Sequence, residues 1–312
     1  MNVDIIGLLE TMAEHGTAPS QGCSLFGASN VDAIERLKNT YLIKRFNQGR
    51  SAQKYVVGPF GSGKTHFLRQ LMETAAGLDC VTAEVSLNKD VDFTQSLIVY
   101  KEIAQALRTP QGGRGLESLI LAALEQVKGK APTPASQEIF LDGWVSGLDK
   151  VDFVGDSFGR VLQQATQAHL QDNSVAFSQC CKWLKGDISD KALSKELGVP
   201  IVVKSEYNLF AKRLMLSVFQ FVKHAGFRGT VLCYDEAEQG LNVDRKRTEK
   251  ILSMLQGEIN SITTLDNSSA LLVYALTPDL ISKMETFAAL QQRIADPRSE
   301  ERRVGKECRS RW

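Results

Sequence analysis

The sequence has almost no net charge and no long apolar run. Its 37 lysine and arginine residues nearly cancel 36 aspartate and glutamate residues, so the net charge of +1 gives no general attraction to nucleic acid or to a membrane surface. No stretch approaches the roughly 18 consecutive apolar residues that a membrane helix needs. The amino terminus lacks the basic start of a signal peptide. We therefore expect a cytoplasmic protein with no membrane partner.

Metal-binding patterns are also scarce. The six cysteines show no C-x-x-C spacing, and the close pair Cys180 and Cys181 is adjacent in sequence, which suits shared metal ligation poorly. The four histidines are equally scattered. We expect reduced, mostly buried thiols and no zinc site. With 312 residues, of which 43% are apolar, the chain is long enough for a substantial core and for one or two domains.

The sequence does contain a phosphate-binding pattern, G-x-x-x-x-G-K-[ST]. The predicted nucleotide-binding residues are Gly58, Pro59, Phe60, Gly61, Ser62, Gly63, Lys64, Thr65 and His66. A strand pattern precedes them and a helical pattern follows, which is the context that a P-loop requires. Glycines let backbone N–H groups turn towards phosphate oxygens, and the helix dipole adds to the attraction. Lys64 would reach the β- and γ-phosphates of ATP, and Thr65 would offer its hydroxyl to Mg²⁺.

A second motif is an apolar strand pattern over residues 229–234 that ends in Asp235 and Glu236. It is typical of a Walker B motif. A carboxylate at the carboxyl end of a parallel strand lies beside the P-loop, so Asp235 can hold the Mg²⁺ shell. Glu236 can orient or deprotonate the attacking water, as hydrolysis requires. The alternative for this acid pair is the start of a capped helix.

A third strand pattern, over residues 270–276, ends at Thr277. A polar residue there would face the γ-phosphate between the two Walker strands, which makes Thr277 a candidate sensor. The alternative is that Thr277 caps a helix. Arg293 stands about one helix further along, at the usual position of an arginine finger that acts on a neighbouring subunit's nucleotide. An ordinary surface arginine is the alternative.

The motifs predict an α/β fold of the P-loop NTPase class. We expect strands near 54–57, 81–87, 230–235 and 271–276, a helix over 90–107 and a short extra strand over 200–204. Helical periodicities from about 110 to 200 indicate a large all-helical insertion. The predicted organisation is a helical lead-in over 1–50, an ATPase core over 51–297 and a non-native, disordered tail over 298–312.

Together these residues resemble a known family. The strings GPFGSGKTHFL at 58–68, KWLKGD at 182–187 and YDEAE at 234–238 look like the ATP-binding proteins of BREX-type bacteriophage exclusion systems. Those proteins are bacterial P-loop ATPases of the AAA+ class, similar to origin-recognition ATPases. The family typically has glutamate at the position of Asp187, a departure that touches no catalytic role. The resemblance covers about residues 20–296.

The resemblance implies a set of ligands, partners and roles. It implies ATP and Mg²⁺ binding at Gly58, Gly63, Lys64, Thr65 and Asp235, with hydrolysis through Glu236. It also implies other defence-system proteins as partners, possible contact with DNA through the complex or the missing C-terminal part, and a homo-oligomer of the full-length protein. Other readings stay open: a nucleotide-gated adaptor with little turnover, or a small-molecule P-loop kinase. The acid pair lies about 170 residues beyond Lys64 and no arginine-rich lid is apparent, which disfavours the kinase.

The resemblance further implies parts that the sequence does not supply. An AAA+ core orders its strands 5-1-4-3-2, with a helical lid and a C-terminal winged-helix-like part. We expect a parallel sheet in the order 1-4-3-2 with the fifth strand missing, because the chain looks truncated. Residues 298–312 have no helical or strand period and resemble a translated vector sequence.

Overall fold

A four-stranded parallel sheet organises the molecule. The computed structural model describes residues 5–7, 10, 18–19, 22–26, 30–88, 90–236 and 245–279. Within these residues the strand order is β1-β4-β3-β2, as predicted. The strands are β1 (Ala52–Val57), β2 (Cys80–Ser86), β3 (Gly229–Asp235) and β4 (Ala270–Leu276).

The two central strands read as continuous apolar runs because both of their faces are covered. Every residue of β3 and β4 is buried, and their sequences are GTVLCYD and ALLVYAL. Parallel strands in the middle of an α/β sheet have this composition because helices pack on both sides. Among the described strands, β1 pairs with β4 alone, so β1 forms one edge of the sheet.

Ten α-helices surround the sheet in the described chain. They are α1 (Val31–Leu37), α2 (Lys64–Ala76), α3 (Ser96–Ala106), α4 (Gly115–Lys128), α5 (Gln137–Ser146), α6 (Phe158–Leu170), α7 (Ser174–Leu184), α8 (Lys191–Glu196), α9 (Tyr207–Ala225) and α10 (Arg245–Thr263). A π-helix over Lys38–Arg45 continues α1.

The helices form a layer on each side of the sheet. On one face, α2 and the segment that follows α1 pack against β3 and β4 through side chains such as Leu42, Phe46, Leu68 and Leu71, all fully buried. On the other face, α3, α9 and α10 enclose the larger core. Burial of each large apolar side chain contributes roughly 1.5–3 kcal/mol of transfer free energy. These two layers are therefore the main source of stability.

The chain between α3 and α9 is the predicted helical insertion. Every helix or strand element between residues 110 and 200 is helical, comprising α4 to α8 and two short 3₁₀ turns. The insertion packs on the larger core, where Trp183 of α7 is fully buried. This part of the fold is therefore an elaboration on one face of the sheet, on the side opposite to α2.

Two local predictions are wrong. The helix predicted from residue 90 begins at Ser96, because Asp92 forms a turn in which its carboxylate accepts from the Thr94 N–H at 2.9 Å. The turn satisfies backbone donors in a non-helical way, as aspartate commonly does. The strand predicted over 200–204 is absent: the chain there is irregular and enters a 3₁₀ turn at Lys204–Glu206.

The cysteines of the described residues are buried and carry no disulfide. Burial raises the pKa of the Cys80 thiol and of the Cys181 thiol to about 12, because a thiolate would be poorly solvated in the core. Thiols in such surroundings are unreactive and pack as small apolar side chains.

No helix of the described chain is long and apolar enough to cross a bilayer.

Replacing Gly229 by alanine is expected to destabilise the fold. Gly229 opens β3, and an added Cβ would lie 2.4 Å from the Ser269 carbonyl oxygen and 2.7 Å from the Phe46 ring. The carbonyl belongs to the backbone that leads into β4 and cannot give way easily. We expect a loss of about 1–3 kcal/mol in the free energy of unfolding, measured by chemical denaturation.

Gly143 provides the matched control for this substitution. It lies in α5, and an added Cβ would have no atom within 4 Å. Gly143→Ala should therefore stabilise the protein by about 0.5–1 kcal/mol, because alanine loses less backbone entropy in a helix. A Gly229→Ala variant that unfolds at the wild-type denaturant concentration would contradict the close approach of β3 to the Ser269 backbone.

Candidate functional site

The loop between β1 and α2 has the backbone shape that its glycines predict. Gly61 and Gly63 adopt left-handed φ values of 76° and 83°, which glycine reaches without a steric penalty. At Gly58 the constraint is different, since an added Cβ would lie 2.3 Å from the Ser62 hydroxyl oxygen. The Phe67 N–H then donates to the Gly63 carbonyl at 3.0 Å and begins the helix. The loop thus turns the chain sharply into the positive end of α2.

The amine of Lys64 lies on this loop. It donates to the carbonyl oxygens of Gly58 at 3.1 Å and of Pro59 at 3.2 Å. These contacts hold the ammonium group over the residues that would surround a phosphate. The loop's aromatic residue, Phe60, is 89% exposed and makes no packing contribution to the core. The Lys64 ammonium is therefore directed at the loop, whereas the Phe60 ring of the loop points into solvent.

The two predicted metal-binding residues meet directly. Thr65 donates its hydroxyl to Asp235 Oδ2 at 2.5 Å, across a sequence separation of 170 residues. Asp235 is buried, with 4% of its surface exposed, at the last position of β3. A hydroxyl and a carboxylate oxygen are the hard ligands that Mg²⁺ prefers, usually together with waters and substrate phosphates. The donor set therefore fits Mg²⁺, which Thr65 and Asp235 would hold together.

Glu236 follows in an unusual backbone conformation. Its φ is +54°, and its N–H donates to Asp235 Oδ1 at 2.9 Å. A left-handed conformation in a residue other than glycine costs of order 1–3 kcal/mol and persists where the surroundings impose it. The turn ends β3 abruptly and places the half-buried Glu236 beside Asp235 at the carboxyl end of the parallel strands.

Thr277 also lies at the carboxyl end of the parallel strands. It follows the last residue of β4, and β4 is the strand between β1 and β3. The Gly58 N–H donates to the Leu276 carbonyl at 3.1 Å, which joins the start of the P-loop to the end of β4. The strand order thus brings Thr277 between the P-loop and the acid pair. Arg293 and the predicted tail lie outside the described residues.

His66 is placed in the first turn of α2. Its Nε2 is buried and makes no hydrogen bond within the described chain. A buried polar atom without a partner is uncommon in a folded protein. His66 differs in this respect from Lys64 and Thr65, whose side chains hydrogen-bond to other residues of the site.

Sequence reasoning missed a pair of residues that support α2. Arg69 forms an ion pair with Glu84 of β2 at 2.9 Å, and it also donates to the Ala18 carbonyl at 2.5 Å. Glu73 accepts from the backbone N–H groups of Cys23 and Ser24, both at 2.9 Å. The four-residue spacing of the two charges on α2 was visible in the sequence, but their distant partners were not. These contacts fasten the N-terminal segment to the P-loop helix.

One of three comparisons with known proteins identifies a family. A family model described as BREX system ATP-binding protein BrxC/D matches residues 5–308, which is nearly the whole chain. Comparison with curated proteins and comparison with solved structures find no match. The family match includes the P-loop, the helical insertion and the acid pair. The chain therefore belongs to the BREX system ATP-binding protein family BrxC/D.

Proposed function

We propose that the protein hydrolyses ATP with Mg²⁺ and uses the reaction to drive or gate a DNA-associated defence complex. Membership in a family of BREX ATP-binding proteins supports the nucleotide and the defence context. Hydrolysis and the link to DNA are the added parts of the proposal. Other proteins of the same defence system are the expected partners.

The contact between Thr65 and Asp235 carries the proposal. A glycine-rich turn can match a P-loop pattern by chance, but a chance match would not place its Thr65 hydroxyl 2.5 Å from a carboxylate at the end of a distant strand. The meeting of these two groups is what a metal-assisted phosphoryl transfer requires. It supports the assignment of both motifs to one site.

Each residue has a defined role in the proposed reaction. Backbone N–H groups of Phe60, Gly61 and Gly63 and the Lys64 ammonium bind the phosphates, and Thr65 and Asp235 would hold Mg²⁺. Bound Mg²⁺ would supply charge neutralisation on the phosphate oxygens. Glu236 accepts a proton from the water that attacks the γ-phosphorus, and Thr277 donates a hydrogen bond to the γ-phosphate.

The proposal extends to subunits acting together. Arg293 is proposed to contact the γ-phosphate bound by a neighbouring copy of the chain and to stabilise charge in the transition state. The exposed position of the P-loop on the sheet edge is compatible with a neighbour that covers it, since Phe60 at its tip is 89% exposed. We therefore propose a homo-oligomer as the active form.

A phosphate-release assay tests the function. We expect purified protein with ATP and Mg²⁺ to release phosphate at a rate well above that of a matched Lys64→Ala preparation. Addition of double-stranded plasmid DNA should raise the rate further if the complex works on DNA.

The other outcomes distinguish the alternatives. Tight ATP binding without phosphate release above the Lys64→Ala background would identify a nucleotide-gated adaptor. Transfer of the γ-phosphate to an added small molecule, in place of release, would identify a kinase. A rate that does not respond to DNA would confine the protein to a role elsewhere in the defence complex.

A further inference from the structure

Three tyrosines form a row across the sheet on the face opposite to the P-loop helix. Tyr55 of β1 is in register with Tyr274 of β4, which is in register with Tyr234 of β3. Their ring centroids are 5.8 Å and 4.7 Å apart in that order. Phe93 meets the rings of Tyr234 and Tyr274 edge-on. The row therefore ties together the three strands that end at the candidate site.

A single carboxylate joins two members of this row. Glu258 of α10 accepts the Tyr234 hydroxyl on Oε1 at 3.1 Å and the Tyr274 hydroxyl on Oε2 at 2.5 Å. Glu258 is 7% exposed, and burial raises the pKa of its carboxyl while the two hydroxyl donors oppose that rise. A buried carboxyl is costly unless it is hydrogen-bonded. This cost calls for an explanation beyond filling space.

A cavity leaves one side of Glu258 without close packing. A cavity of about 230 Å³ lies beside it, lined in part by Phe93, Lys212, Tyr234 and Met254. Lys212 of α9 also lines this cavity, and it donates to the Gly257 carbonyl at 2.8 Å, which joins α9 to α10. The two tyrosine hydroxyls are thus the polar links between Glu258 and the strands.

The row lies one to three residues from the candidate site. Tyr234 precedes Asp235, Tyr274 stands three residues before Thr277, and Tyr55 stands three residues before Gly58. The Gly58 N–H bond to the Leu276 carbonyl joins the P-loop to the end of β4, so a small shift of β3 against β4 would move Asp235 relative to Thr65. Misplacement of about 1 Å in a catalytic group can cost as much as 10²-fold in rate.

We propose that Glu258 is a positioning residue that fixes the ends of β3 and β4, and thereby sets the distance between Asp235 and Thr65. The inference rests on the proposed function, because it assumes that these two residues hold Mg²⁺. In this role Glu258 acts through Tyr234 and Tyr274 rather than by contact with ATP or metal. Its removal should weaken the contribution of Mg²⁺ to ATP binding more than it weakens metal-free ATP binding.

The test compares ATP affinity with Mg²⁺ to ATP affinity in EDTA, measured by calorimetry, together with thermal unfolding. Glu258→Leu removes both acceptors while keeping a similar volume, and we expect the affinity ratio to fall about 10- to 100-fold, as for residues that orient metal ligands. Glu258→Gln keeps one acceptor and offers an amide donor, so we expect a ratio within about threefold of the wild type.

Two further variants separate positioning from stability. Tyr100→Phe removes another fully buried hydroxyl, which donates to the Leu184 carbonyl at 2.5 Å, and it should leave the ratio unchanged. The triple variant Tyr234→Phe, Tyr274→Phe, Glu258→Leu leaves no unpaired hydroxyl in the row and should recover thermal stability. Positioning predicts that the ratio stays low in the triple variant despite this recovery.

The outcomes that overturn the inference differ from those that overturn the function. If the wild type shows no Mg²⁺-dependent strengthening of ATP binding, the proposed function fails. If the wild type shows it and the folded Glu258→Leu or triple variant keeps the wild-type ratio, the positioning inference alone fails. A ratio that falls equally in Tyr100→Phe would show a general stability effect and would also overturn the inference.

Discussion

Replacing Lys64 by alanine is expected to weaken ATP binding about tenfold to a hundredfold and to remove turnover. The Lys64 ammonium lies on the Gly58 and Pro59 carbonyls, within the loop that would surround the phosphates. Hydrogen bonds to charged groups contribute about 1.5–3 kcal/mol, which corresponds to that range of affinity. Calorimetric titration with ATP and a phosphate-release assay measure the two effects.

Lys101→Ala is the control for the loss of a lysine. Lys101 pairs with Asp187 at 2.6 Å on the partly exposed surface of α3, away from the P-loop. Such a pair contributes about 0–1 kcal/mol to stability, so this variant should bind ATP like the wild type. Unchanged ATP affinity and turnover in Lys64→Ala would remove the basis for assigning a P-loop.

The sheet was predictable because its signals are local. Short runs of β-branched and aromatic residues marked each strand. The motifs that follow β1 and end β3 indicated that the carboxyl ends of these strands lie close together. The order β1-β4-β3-β2 followed from the resemblance to AAA+ ATPases rather than from periodicity. Errors arose where a single side chain decides the backbone, as at Asp92, whose turn delays α3 to Ser96.

The support of the site was less predictable than its motifs. Lys64, Thr65 and Asp235 belong to patterns with fixed spacing, so sequence alone suggested that they meet. The Glu258 carboxylate is different, because its partners Tyr234 and Tyr274 lie on other elements and no spacing rule connects them. Contacts of this kind depend on tertiary packing, which one sequence without its fold does not reveal.

Burial also explains why Glu258 escaped notice in the sequence. An acidic residue on an amphipathic helix is usually assigned to the solvent face, since charged side chains are rarely fully buried. α10 contains apolar residues at helical spacing, and Ile251, Leu252 and Leu255 are indeed buried. Glu258 lies with them on the core side because two hydroxyl donors satisfy it there.

Replacing Glu236 by glutamine should keep nucleotide binding and reduce turnover by about 10²- to 10⁴-fold, the usual contribution of a general base. The amide keeps the size of the side chain but cannot accept the proton of the attacking water. The left-handed backbone at Glu236, with φ of +54°, is the same for both residues, so thermal stability should not change. Calorimetry with ATP and single-turnover phosphate release measure binding and chemistry separately.

Glu138→Gln is the control for this charge change, because Glu138 is exposed on α5, and it should leave turnover unaltered. Wild-type turnover in Glu236→Gln would show that another residue is the base.

The Glu236→Gln variant also tests the subunit arrangement when it is mixed with Arg293→Ala, which is expected to have low activity alone. If Arg293 acts on a neighbour's nucleotide, a mixed oligomer contains sites with an intact Glu236 beside a subunit with an intact Arg293. Mixing should then partly restore turnover, whereas no recovery would assign Arg293 to the surface.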